Sequence, residues 1–475
     1  MLLEGGAMAR KSVLGMLAGV CLAAVTSAPV AAESLASALS SAYITSGLLD
    51  QNRAVLRAAD EDVAQAVAAL RPVINWTGTV TRSFGAQNAA STGGMWVDYA
   101  TTTASADLVA TLVLYAGGAR TLSLDAAREA VLATRAGLVG VEQQVLYNGV
   151  SAFMEVRRAL ETVQLRRNNV RVIGEELRAA QDRFQVGEVT RTDVAAAEAR
   201  LAGARSLLAA AEGTLAVNRE VYNAVVGRYP ENPQPPVGLP RLPADPASAK
   251  AQALREHPDI VQLRHVVAGS DIAIAIAKAR MKPTVNLEGR LGMSGTFDSP
   301  FASERGSVTL GLSGPIYQGG GLSSGVRQAM ANRDASRAQL YTAGQQVEQS
   351  VGSAFAQLRI AQASIVSTRE QVRAARVAFE GIREEASLGA RTTLDVLDAE
   401  QELLDARAAQ ISAEVDQTIA AYAVLASIGQ LTAEQLGLDV PRYDPAAYYD
   451  LVKTAPVTSR QGEELDRVLR ALGKN

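Results

Sequence analysis

Asp395 and Asp398 lie three residues apart, so on a helix their carboxylates share one face. Such a pair can hold a cation, repel an anion or exchange a proton. The two acids follow Leu388-Gly389-Ala390-Arg391-Thr392-Thr393, which reads as a turn between helices. A glycine suited to positive φ comes first, then a threonine and an acid where the next helix starts. Upstream, Val186-Gly187-Glu188 followed by Thr192 and Asp193 has the same form. A plainer role stays open for these acids: capping, or stabilising the first-turn dipole. Little else in the chain suggests chemistry. His257 and His265 share no ligand pattern and read as structural. No nucleophile triad, Gly-rich phosphate loop or metal cluster appears, so no cofactor or metal is expected and an enzyme has no sequence support.

The elements around these turns are long helices. Val351, Leu358, Ile365, Val372, Phe379 and Ala386 recur every seven residues, with Ala354, Ala361, Thr368, Ala375 and Ile382 at the second seam position. That is a heptad pattern with small residues on alternate layers, which lets helices approach closely. Val156, Val163, Val170, Leu177 and Phe184 form a similar seam in the first half. Residues 122–184 contain no proline and would span roughly 95 Å as one helix. Residues 321–387 are comparable. Shorter helices are expected at 34–70, 192–227, 248–281 and 394–428, so that each long helix lies beside two short collinear ones.

The chain repeats itself. Tyr115-Ala116-Gly117-Gly118 returns as Tyr317-Gln318-Gly319-Gly320, 202 residues later, and the Gly187 turn returns at Gly389 with the same offset. Shifted by 202, the first-half seam falls on the second. Arg71-Pro72-Val73-Ile74-Asn75 matches Lys282-Pro283-Thr284-Val285-Asn286 at an offset of 211. Insertions therefore lie between the prolines and the Tyr-x-Gly-Gly motifs.

Between those landmarks the pattern alternates. Trp76, Gly78 and Val80 interleave with Asn75, Thr77 and Thr79; Leu108, Ala110, Leu112 and Leu114 follow less cleanly. In the second half, Val285, Leu287, Gly289, Leu291 and Met293 alternate with polar residues that include Glu288 and Arg290, and Val308, Leu310 and Leu312 follow suit. Period two over about ten residues, with charge on the polar side, is the weak mark of a membrane β-barrel. Soluble hairpins packed on helices are the competing reading. Four strands cannot close a barrel, since the smallest need about eight, so membrane strands here would require several copies. Pro72 and Pro283 mark where helix gives way to strand.

Composition sets the compartment. Net charge is −3, so no polyanion such as nucleic acid is implied, and aromatics at 4% favour thin helical seams over one bulky core. Arg10 and Lys11, the apolar run 12–25 and Val30-Ala31-Ala32 read as a cleaved signal, with the mature chain starting near Glu33. An uncleaved anchor competes, but the run is short and ends in Ser27-Ala28-Pro29. Cys21, the only cysteine, lies inside the signal. Val20 before it does not suit a lipid-attachment site, and its removal would leave no thiol.

Together, the Tyr-x-Gly-Gly motif, the paired turns and above all Leu388 to Ala399 resemble the TolC family of outer-membrane efflux and secretion ducts, over about residues 34–440. The resemblance implies an α+β membrane protein with a two-fold internal repeat: long coiled-coil helices forming an α-barrel, and four strands given to a twelve-stranded β-barrel in a homotrimer. The expected divisions are signal 1–32, first repeat 33–228, Pro-rich equatorial linker 229–249, second repeat 250–429 and C-terminal equatorial region 430–475. The implied role is a passive exit duct through the outer membrane and periplasm of a Gram-negative cell. Its partners would be a periplasmic adaptor (membrane fusion protein), an inner-membrane transporter of ABC or RND type, and outer-membrane lipid.

Within that resemblance Asp395 and Asp398 match the ring at the inner constriction. Three copies would stack two triangles of carboxylate, so multivalent cations should block the pore and the acids should hold protons more tightly. Arg391 matches a gate latch that ties to Thr192 and Asp193. Val186-Gly187-Glu188 and Leu388-Gly389-Ala390 match the adaptor-docking tips. One departure is Ala386, where the family often has a tyrosine in the latch. A soluble periplasmic coiled-coil scaffold or adaptor is the alternative, disfavoured because adaptors usually carry one hairpin and no two-half duplication.

Overall fold

The computed structural model describes residues 33–88, 90, 93–297, 302–456 and 467. The expected signal, with Cys21, and most of the tail beyond 456 lie outside them.

Two long helices dominate: α3 (Ala119–Gln185) and α7 (Gly321–Ser387), each 67 residues, or about 100 Å at the helical rise. α4 (Arg191–Val226) runs back along α3, and α8 (Thr393–Ser427) along α7. The heptad reading holds. Val351, Leu358, Ile365, Val372, Phe379 and Ala386 are all buried. In the first half Val156 and Val163 are buried, but Phe184 near the far end of α3 is exposed.

The other short helices depart from expectation. The predicted 34–70 helix is two, α1 (Leu35–Thr45) and α2 (Gly47–Ala68), broken at Ser46, whose hydroxyl accepts from the Leu49 N–H and caps α2. The predicted 248–281 helix is α5 (Pro246–Glu256) and α6 (Pro258–Ala279). There the cause is covalent. Pro258 cannot donate a backbone hydrogen bond and pushes His257 into extended geometry, φ −60° and ψ 130°. Each break receives the end of another helix. Gly227, closing α4 at φ 82°, packs on Thr45, while Ser41 and Thr45 hydroxyls donate to the Val226 carbonyl. Gly429, just past α8 at φ 85°, packs on His257 and Pro258. The two glycines are 202 residues apart and the two breaks 211, the same offsets seen in the sequence motifs. The main core forms at this level, where Phe153 and the buried Tyr222 face each other with ring centroids 6.5 Å apart.

The strands form one open antiparallel sheet in chain order: β1 (Val73–Asn88), β2 (Trp96–Ala116), β3 (Thr284–Thr296) and β4 (Ala302–Ser313). Register sorts its faces. Ile74, Ala110, Gly289 and Val308 align in one row, and Trp76, Leu108, Leu291 and Gly306 in the next row on that face. The opposite face carries Thr79, Ser105, Ser294 and Ser303, then Thr77, Asp107, Gly292 and Arg305. One face is thus apolar and the other hydrophilic. Every residue of β1 is exposed, Trp76 and Val308 are each 81% exposed, and the outer edges of β1 and β4 are unpaired within the chain. Soluble hairpins would bury that apolar face on a helix; here it is bare. The reading as soluble hairpins, and with it the soluble scaffold, fails on this point.

Residues 430–456 return to the middle of the helices, ending in α9 (Ala447–Val452). The Arg53 guanidinium stacks on Tyr443 and that of Arg135 on Tyr449, and the Tyr448 hydroxyl donates to Glu61 at 2.6 Å. Beneath them Asp60 is fully buried.

Candidate functional site

At the end of the helices farthest from the sheet, two turns join α3 to α4 and α7 to α8. They are built alike. Gly187 (φ 84°) and Gly389 (φ 80°) take the left-handed conformation that ends a helix. The Glu188 N–H donates to the Arg183 carbonyl and the Ala390 N–H to that of Glu385, both at 2.9 Å. Thr190 and Thr392 then cap the next helices. In each case the threonine hydroxyl accepts from the N–H of the acid three residues on, Asp193 or Asp395, and that acid accepts from the threonine's own N–H. These are two capping boxes. The caps fall at Thr190 and Thr392, so Thr192 and Thr393 sit inside the helices. Val186 and Leu388 stand exposed at the extreme tips.

Asp395 is therefore engaged by its own turn. The Thr392 backbone and hydroxyl donors, and then Arg391, hold its carboxyl below the usual carboxylate range. Within one chain this runs opposite to the upward displacement expected from a carboxylate ring. Asp398, one turn on, accepts from the Arg200 guanidinium of α4 at 2.5 Å. Arg391 binds Glu385 at 2.8 Å in the same turn, and this contact raises its pKa. Within the chain it makes no hydrogen bond to Thr192 or Asp193 among the described residues.

Beside the Arg200–Asp398 pair, two further ties join the hairpins, and sequence reasoning missed both. Arg383 on α7 lies 3.4 Å from Glu176 on α3, one helical turn before Ala386. Glu400 on α8 is buried against α3, where the Asn169 amide donates to it at 3.5 Å. Burial, more than the charges around it, pushes the Glu400 carboxyl up. Glu400 could have been noticed, because it interrupts the apolar series Leu397, Leu404. The Arg383–Glu176 pair gave no such signal; it depends on how two hairpins register in space.

Small apolar clusters back these ties. Val372, Phe379, Ala386, Val396 and Leu403 pack α8 on α7. Leu397, on the other side of α8, enters the cluster of Ile173, Ala197 and Leu201 on α3 and α4. α8 is thus the shared wall between hairpins. Elsewhere, His257 Nδ1 accepts from the Asp259 N–H at the start of α6, and His265 pairs with Glu129 at 2.8 Å. Among the described residues no group of three His, Cys, Asp or Glu could hold a metal ion.

A family model described as outer membrane efflux protein matches residues 38–227 and 250–430. The chain is 35% identical over 423 residues to outer membrane efflux protein BepC of Brucella suis biovar 1 (strain 1330), spanning 89% of this chain and 91% of that one. It is 26% identical over 322 residues to outer membrane protein TolC of Escherichia coli (strain K12), covering 62% and 63% of the two chains. Among solved structures, the Campylobacter jejuni CmeC outer membrane channel superposes with a TM-score of 0.75, covering 89% of each chain at 16% identity.

Proposed function

The chain belongs to the outer membrane efflux protein family, and from that premise we propose that three copies pool their sheets into one twelve-stranded barrel above a shared helical tunnel. The protein is an exit duct of the outer membrane that extends into the periplasm, of the kind that serves efflux and type I secretion. One observation supports the pooling of sheets from several copies: a four-stranded sheet with an apolar face, a polar face and two unpaired edges, too narrow to close on itself. Adding the β4 edge of one copy to the β1 edge of the next extends it. The repeats 33–228 and 250–429, with the 229–249 linker and the region from 430 at mid-height, are the units of this assembly.

The far tip is the gate. Asp395 and Asp398 line the constriction, with Asp398 sharing its charge with Arg200. Arg391 is the latch, exchanging Glu385 for Thr192 and Asp193 of the adjacent turn in the assembly, and the Glu176–Arg383 pair takes the role left open by Ala386. The exposed turns Val186-Gly187-Glu188 and Leu388-Gly389-Ala390 receive a periplasmic adaptor, through which an inner-membrane transporter of ABC or RND type feeds the duct. Purified protein reconstituted in a planar lipid bilayer tests this: it should give discrete low-conductance channels, and Arg391→Ser should raise the closed-state conductance. Absence of channels would refute the duct, and an unchanged Arg391→Ser conductance would refute the latch.

A further inference from the structure

The segment that follows α8 is seated on the first repeat by a series of unlike contacts. At its start the Ala433 N–H donates to Glu142 of α3 at 2.7 Å. At its end the guanidinium of Arg71, the residue before Pro72, donates to the Thr454 and Ala455 carbonyls. Ala455 takes φ 46°, a left-handed conformation that costs any residue with a Cβ free energy. Between these points Tyr443 and Tyr449 lie on the Arg53 and Arg135 guanidinium groups, and the Tyr448 hydroxyl donates to Glu61. Both stacked rings also pack on the small core of Leu56, Val63, Leu124 and Val131. α2 and α3 thus make a seat, and the second repeat supplies the strap that lies on it.

One group in this seat lacks what its charge requires. Asp60 of α2 is fully buried, and among the described residues no donor reaches either of its oxygens. Arg135 of α3 lies 4.0 Å away, stacked on Tyr449, and its own Nε and Nη2 find no acceptor. Glu61, on the same helix, repels the Asp60 charge. Arg53 and Arg57 of α2 act on Tyr443, and the strap itself faces Asp60 with Tyr443 and Tyr448. A neutral carboxyl tolerates such a place. A carboxylate does not, because it loses its water without gaining a donor. Burial accordingly raises the Asp60 pKa from 3.8 to about 6, against the pull of Arg135.

We propose that residues 433–455 are a pH-sensitive strap, seated on α2 and α3 while Asp60 is neutral and lifted when it ionises. Lifting lets water reach the carboxylate, exposes the tyrosines and relaxes Ala455. The direction follows from linkage. A carboxyl raised in the seated state favours seating fully below pH 3.8 and loses that effect as pH rises through about 6. The strap is therefore tighter in acid. Burial raises Glu142 as well, although the Ala433 N–H and Arg53 favour its charged form, so its contribution has to be separated from that of Asp60. The strap runs from the end of α8 to the root of β1, and its release loosens one tie between the two repeats at mid-height. All its parts lie within one chain, so it stands independently of the oligomeric duct.

Amide hydrogen exchange on the purified protein in detergent tests this, with protection factors corrected for the intrinsic effect of pH on exchange. The Asp450 and Lys453 N–H groups, which donate to the Ala446 and Tyr449 carbonyls, report the strap, because a helix as short as α9 does not persist once lifted. Amides of the α7 seam around Val351 report the rest of the fold. From pH 4.5 to pH 7.5 strap protection should fall on the order of tenfold or more, while the seam holds. In Asp60→Asn, which cannot ionise, most of that fall should vanish, and whatever remains belongs to Glu142. A parent strap equally protected at both pH values would overturn the proposal, and this comparison needs no variant to fold. An Asp60→Asn strap that loosens as much as the parent strap would overturn it equally.

Discussion

Arg200 on α4 donates to Asp398 on α8 across 2.5 Å, so one of the two acids proposed to line the constriction is paired with a cation from the other hairpin. Asp395, one turn earlier, has the Thr392 donors and lies close to Arg391. The two acids are therefore not equivalent. Asp395→Ala should weaken block of single-channel current by multivalent cations severalfold. Asp398→Ala should weaken it less and should raise closed-state conductance, because it also removes a tie between hairpins. Equal loss of block in both variants, with no change in closed conductance, would show that Arg200 does not discriminate between them.

Asp60 gives a pH dependence at mid-height. Its carboxylate is fully buried, neither oxygen has a hydrogen-bond partner, and the nearest cation, Arg135, is 4.0 Å away. Burial outweighs Arg135 and raises the pKa from 3.8 to about 6. A raised carboxyl favours the folded state while protonated. Its contribution is complete below pH 3.8 and is lost as pH rises through about 6, a change on the order of 2–3 kcal/mol. Asp60→Asn should hold that contribution across the range. Thermal melts at pH 4.5 and 7.5 should therefore show a smaller pH difference in the variant than in the parent. An identical difference would exclude Asp60 as its source.

The glycines that end α4 and α8 should tolerate no side chain. A Cβ on Gly227 would sit 2.8–2.9 Å from Thr45 atoms, and one on Gly429 would sit 2.9 Å from the His257 backbone, both at positive φ. Gly227→Ala or Gly429→Ala should cost roughly 2–5 kcal/mol, from left-handed strain of about 1–2 plus overpacking of about 1–3. Gly187→Ala and Gly389→Ala carry the strain alone, about 1–2 kcal/mol, since nothing lies within 4 Å of either position. Denaturant midpoints of the four variants should fall into these two groups; four equal midpoints would contradict the packing described at the helix breaks.

Much of this architecture was legible because two periods write it directly. A seven-residue seam has one buried face, and Val351 through Ala386 obey it without exception. A two-residue alternation separates the Trp76 row from the Thr77 row. The break at His257 was also available, since Pro258 forbids a continuous helix, yet the apolar run on both sides masks it. The break at Ser46 was less visible, a single cap in good helical sequence. The ties at the tip were not legible. Arg383 and Glu176, or Arg200 and Asp398, are charges 207 and 198 residues apart, and which charge meets which depends on how two hairpins cross. The exposed Phe184 shows the remaining limit: its heptad position predicts burial, yet at the far end of α3 the fold leaves it open.

The size of the detergent-extracted particle decides whether the open sheet is a part or a whole. Light scattering, corrected for bound detergent, on protein solubilised from the outer-membrane fraction should give three chains per particle, with the β-sheet resistant to heat until the particle dissociates. A folded single chain, stable without detergent and carrying the same four strands, would contradict the pooled barrel and the duct built on it.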